Sequence, residues 1–155
     1  MSRVIATMRK SPYDGDTKTE QGMLSGLIKG IVDGTIALDN DPNINSGANG
    51  FLRNYMNDTE TFGEAAGTSL IAATIFRMAV LDPGNFGQYT GWAEAKMGVV
   101  NGAIKDKGLV GPTVDPLAWE SNKEFWDGSP EGQSFVVLMH AAYLAWQGTR
   151  GQTTK

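Results

Sequence analysis

The sequence predicts an all-α protein, and three observations carry that prediction. Residues 62–81 (FGEAAGTSLIAATIFRMAVL) contain two charges, Glu64 and Arg77, and no proline. A surface helix shows one apolar stripe; this stretch is apolar or small nearly all round, as in a helix enclosed by others. Residues 130–146 (PEGQSFVVLMHAAYLAW) repeat the pattern, with Glu131 as the sole formal charge. No alternation of period two persists, so strands beyond short extended segments are not expected. Two enclosed helices in one short chain imply concentric helical layers.

The elements follow in order. Residues 1–8 place Val4, Ile5 and Met8 at helical spacing, without an N-cap before them. Ser11, Pro12, Asp14 and Gly15 then break the chain. Thr17 is set to cap a second helix, with Glu20 at the capping-box position. Leu24, Leu27, Ile28 and Ile31 form its i, i+3, i+4, i+7 stripe, and Asp33-Gly34 marks its end. Residues 36–50, rich in Asp, Asn and Gly, read as an irregular loop, and residues 51–56 as a short extended or turn segment.

The first enclosed helix comes next and stops at Leu81-Asp82-Pro83-Gly84. Residues 92–104 are amphipathic, with Trp92, Ala95, Val99 and Ala103 on one side and Gly108 as the capping glycine. Residues 109–128 read as a structured loop. Ser129-Pro130-Glu131 is a strong helix start: a serine cap, proline in the first turn, then an acid near the positive end of the dipole. About five helices result. Residues 1–147 form one domain and residues 148–155 a polar tail.

Composition narrows the function. The 155 residues suit one domain; a chain of that size buries roughly 70% of its unfolded surface. Thirteen Lys+Arg against 17 Asp+Glu give a net charge of -4. That offers no basic footprint for nucleic acid and no polybasic patch for an anionic membrane. Residues 65–81 come nearest to a membrane span, but their Gly, Thr, Ser and Arg favour burial in protein. Without Cys and with one His, disulfides, thiolate metal sites and multi-histidine centres are excluded. No phosphate loop or Gly-x-Ser-x-Gly elbow occurs. The first residues lack the apolar run of a secretory signal, which leaves location unassigned. The sequon Asn57-Asp58-Thr59 matters only in a secreted chain.

Five blocks carry a resemblance. They are residues 3–8 (RVIATM), 52–55 (LRNY), 61–70 (TFGEAAGTSL), 111–116 (GPTVDP) and 129–135 (SPEGQSF). In order and spacing they resemble the C-terminal part of fungal six-hairpin glycosidases, relatives of the unsaturated rhamnogalacturonyl and glucuronyl hydrolases. The resemblance implies a partial α/α toroid, inner helices ringed by outer ones. It also implies action on oligosaccharides ending in an unsaturated uronic acid, derived from pectin, with no cofactor and no metal. Its paired catalytic aspartates would lie upstream of the segment that Met1 resembles, so no catalytic residue is carried over. Family members are often secreted. The alternatives are a noncatalytic carbohydrate- or partner-binding helical protein and a ligand-free scaffold. Half a toroid would expose inner helices, so self-association is expected.

Candidate substrate-binding residues follow from chemistry, each with a plainer reading beside it. Glu64 and Glu131, at the starts of apolar helices, would flank a sugar as paired carboxylates, or simply sit where the helix dipole favours an acid. Asp58 and Thr59 would hydrogen-bond a sugar from a rim loop; alternatively Thr59 or Thr61 caps the next helix. Arg53 would fork onto a uronate carboxylate with Tyr55 stacking on the ring, or both anchor their loop. Trp119 and Trp126 would offer faces to carbohydrate, or pin their loop to the core. His140 reads as a hydrogen-bonded core histidine rather than a catalytic one.

Overall fold

The computed structural model describes residues 1–118 and 120–150. It is all-α, with one minimal hairpin. The five longer helices are α1 (Ser2–Lys10), α2 (Lys18–Asp39), α4 (Ala65–Leu81), α6 (Thr90–Gly102) and α7 (Pro130–Arg150). Two single-turn helices, α3 (Pro42–Asn45) and α5 (Pro83–Phe86), join them. Strands β1 (Leu52–Arg53) and β2 (Gly63–Glu64) pair antiparallel, Leu52 opposite Glu64.

Helix α4 is the hub, and its most extensive contact is with α7. Ile75, Phe76 and Met78 are fully buried on it. The Phe76 ring stacks on Trp146 at 5.4 Å and meets Tyr143 edge-on at 5.2 Å. These aromatic contacts join the later turns of both helices. At the other end Glu131 lies close enough to Glu64 to act on its charge. The two helices therefore run parallel. Helix α1 shares their direction, since Arg9 near its end donates to the Leu81 carbonyl at the end of α4. Helix α2 runs against α4: Ser25 in its early turns donates to Asp82 just past α4, at 2.7 Å. Helix α6 turns back along α4 after the one-turn α5.

Several expectations need correction. Helix α2 continues past Asp33-Gly34 to Asp39, because tertiary contacts hold its last turns. Asp39 accepts from Trp92 Nε1 at 2.8 Å and pairs with Lys96 at 2.5 Å. The core takes Gln21, Ile28, Val32 and Thr35 from α2, while Leu27 and Ile31 stay 60% and 47% exposed. Helix α6 likewise buries Ala93, Lys96 and Val100 rather than Ala95. Helix α7 is not enclosed: Val137 and Leu144 are each 68% exposed, and one stripe from Val136 to Trp146 is buried.

Caps differ too. Thr17 makes no capping bond to α2; its hydroxyl donates back to the Tyr13 carbonyl at 3.1 Å. Gly108 does not end α6, which closes at Ala103. Its φ of +76° instead turns the chain between the bridged residues Ile104 and Val110. Ser129 does cap α7, its hydroxyl accepting from the Gly132 N–H at 3.3 Å. Residues 148–150 are the last turn of α7 rather than a tail; residues 151–155 of the expected tail lie outside the described residues. Among the described residues no helix is long and apolar enough to cross a membrane.

Candidate functional site

Among the described residues, the predicted substrate-binding candidates gather at one end of the molecule, where α4 and α7 both begin. The Ala65 N–H donates to the Pro112 carbonyl at 2.7 Å, which seats the loop before Thr113 on the start of α4. Thr113 packs on the start of α7 so closely that a Cβ at Gly132 would lie 2.7 Å from its methyl. Only glycine allows this approach.

Glu64 sits at the N-cap of α4 in extended conformation and is 6% exposed. One carboxylate oxygen accepts from the Ala66 N–H at 2.7 Å, the other from the Gly67 N–H at 2.5 Å. Burial pushes its pKa above the ordinary value; the two N–H bonds pull it back in part, and the nearby Glu131 charge pushes it further up. The two glutamates are thus neighbours, but Glu64 spends both oxygens on its helix. Glu131 is exposed. Neither Thr59 nor Thr61 caps α4, because Glu64 does. Thr61 closes its own turn by donating to the carbonyls of Tyr55 and Asp58 at 3.2 and 2.9 Å.

Arg53 is 8% exposed, and its guanidinium faces inward. Nε donates to the Ile44 carbonyl at 2.7 Å, and the two terminal nitrogens reach the carbonyls of Thr61 and Ser46. The planar fork holds two loops together, the plainer of its two readings. Tyr55 is 60% exposed. Asp58 and Thr59 are exposed on the same turn, with Asp58 Oδ1 accepting from the Glu60 N–H at 2.9 Å. Asn122 donates to the Glu60 carbonyl at 2.5 Å and so ties this turn to the aromatic loop.

In that loop Trp126 is half-buried. Lys105 Nζ stands 4.1 Å over its ring, Glu124 accepts its indole N–H at 3.0 Å, and a Cβ at Gly111 would meet the ring at 2.7 Å. It is pinned on several sides. Trp119 lies outside the described residues. His140 is half-buried, its Nε2 2.9 Å from Asn101 Oδ1.

One cluster escaped the sequence reading. Lys96 and Asp39 are buried together, with Lys96 also donating to the Gly50 carbonyl at 2.8 Å and lying 5.4 Å over the Trp92 ring. The signal was present: Lys96 falls at core spacing between Ala93 and Val100. A cavity of about 330 Å³ lies between α1, α2 and α4, with Leu138 of α7 also on its wall.

No family model matches the sequence, and neither a curated protein nor a solved structure matches it.

Proposed function

We propose that this chain is a glycosidase-like helical domain, a partial α/α toroid, whose loop end recognises oligosaccharides ending in an unsaturated uronic acid. One observation carries the reading: Tyr55, Asp58, Thr59, Glu64, Trp126 and Glu131, chosen for carbohydrate chemistry, cluster where the parallel helices α4 and α7 begin. The common direction of α1, α4 and α7, with α2 and α6 against them, supports the toroid part. Tyr55 offers an open ring face, and Asp58, Thr59 and Glu131 offer polar groups to sugar hydroxyls. Glu64 has both oxygens engaged by backbone N–H groups, which favours noncatalytic recognition over hydrolysis.

One assay separates the two. The protein is incubated with an unsaturated rhamnogalacturonan disaccharide while the double-bond absorbance and the amide spectrum are followed. Constant absorbance with saturable shifts at residues 55–59 and 131 supports recognition. Loss of absorbance assigns hydrolysis, and neither response removes the carbohydrate reading. Self-association belongs to the same proposal, since apolar helix faces stay open.

A further inference from the structure

The open face of α2 continues into the 330 Å³ groove. Met23, Leu27 and Ile31 form an i, i+4, i+8 row, exposed by 67%, 60% and 47%. Ile31 also lines the groove, with Met1, Ile28, Leu70 and Ile71. The exposed parts of Met1, Met23, Leu27, Ile31 and Leu70 present roughly 500 Å² of apolar surface, at the upper end for a monomer. That is most of the ~800 Å² that each partner contributes to a standard interface.

The groove also carries charge. Arg3 and Arg77 line it. Among the described residues neither guanidinium donates a hydrogen bond or joins an ion pair. Arg77 is half-buried on the most apolar helix. A guanidinium in such surroundings calls for an anion. The exposed Glu20 stands on α2 beside the apolar row and joins no ion pair among the described residues.

We propose that the occupant is a second copy of this chain, packed antiparallel through α2. The surface is self-complementary. Gly26 and Gly30 lie next to the row in open space, a shallow channel beside a ridge. A two-fold axis near Leu27 sets each ridge into the other copy's channel, with Met23 of one copy opposite Ile31 of the other. The same register carries Glu20 of one copy toward Arg3 and Arg77 of the other, twice over, as an isologous interface requires. The inference deepens the self-association above and is independent of the sugar.

The test is sedimentation of the full chain from micromolar to near-millimolar concentration. A concentration-dependent species of twice the 16.6 kDa chain mass is expected. Leu27→Glu and Gly26→Leu, both on the open face, should weaken it at least about tenfold while circular dichroism is unchanged. Glu20→Lys and Arg3→Glu should each weaken it, and the double charge swap should restore it. A monomer throughout overturns the proposal, as does a dimer indifferent to Leu27→Glu and Gly26→Leu. Failure of the charge swap to restore association overturns the antiparallel register. None of these outcomes touches the disaccharide assay.

Discussion

Lys96 Nζ lies 2.5 Å from Asp39 Oδ1, with both side chains less than a tenth exposed. The pair joins the last turn of α2 to the middle of α6. Asn45 donates to the same Asp39 oxygen at 3.2 Å, and the Gly50 carbonyl takes a second Lys96 proton. The cluster thus fixes the loop after α3 as well. Breaking one partner strands a buried charge, which costs about 3–5 kcal/mol. Lys96→Met and Asp39→Leu should each show that loss in urea unfolding, and the double variant should lose clearly less than their sum.

Arg53 should behave as a loop anchor. Its replacement by Ala leaves the carbonyls of Ile44, Ser46 and Thr61 short of a donor, at a cost of roughly 2–4 kcal/mol. Lysine cannot reproduce the fork, so Arg53→Lys should recover little. An unchanged midpoint for Arg53→Ala, together with lost disaccharide binding, would restore the uronate-binding reading.

The pH dependence at Glu64 has a defined sign. Its folded pKa lies above the ordinary 4.5 because burial disfavours the charge. Its contribution to stability is therefore fully present below the ordinary value and is lost as pH rises through the folded pKa. Stability of the wild type minus that of Glu64→Gln should fall as pH rises from 4.5 upward. Unfolding curves at stepped pH check this. Glu131→Gln should lower the Glu64 midpoint in an NMR titration by removing the neighbouring charge.

Two sets of glycines should respond oppositely. Within a single chain a Cβ at Gly26 or Gly30 meets open space, so alanine there should stabilise the helix of the monomer by about 0.5–1 kcal/mol each. A Cβ at Gly63 would lie 2.3 Å from the Ala48 carbonyl oxygen. Gly63→Ala should cost about 1–3 kcal/mol. Thermal melts of the three variants decide it.

Helix α7 offers a test of its single buried face. Met139 is fully buried, and Met139→Ala should cost about 2–5 kcal/mol. Val137→Ser and Leu144→Ser, at exposed positions, should stay within about 0.5 kcal/mol of wild type.

By itself the sequence determined the all-α class, the break after α1, the stop at Leu81, the cap at Ser129 and the enclosure of most of α4, where Leu70 alone of the large apolar side chains stays exposed. Each rests on local chemistry: turn formers end helices, a hydroxyl satisfies open N–H groups, and an apolar circumference needs neighbours on every side. It also placed the candidate residues on segments that turn out to share one end. Only the tertiary structure decided which face each helix buries. Leu27 and Ile28 are equally apolar in sequence, yet one faces outward and the other the core, because the elements packed around α2 choose between them. Helix α2 passes Gly34 because Asp39 finds Lys96 and Trp92, residues more than 50 positions away. Arg53 became an anchor for the same reason: the carbonyls that hold it come from loops that meet only when the chain is folded.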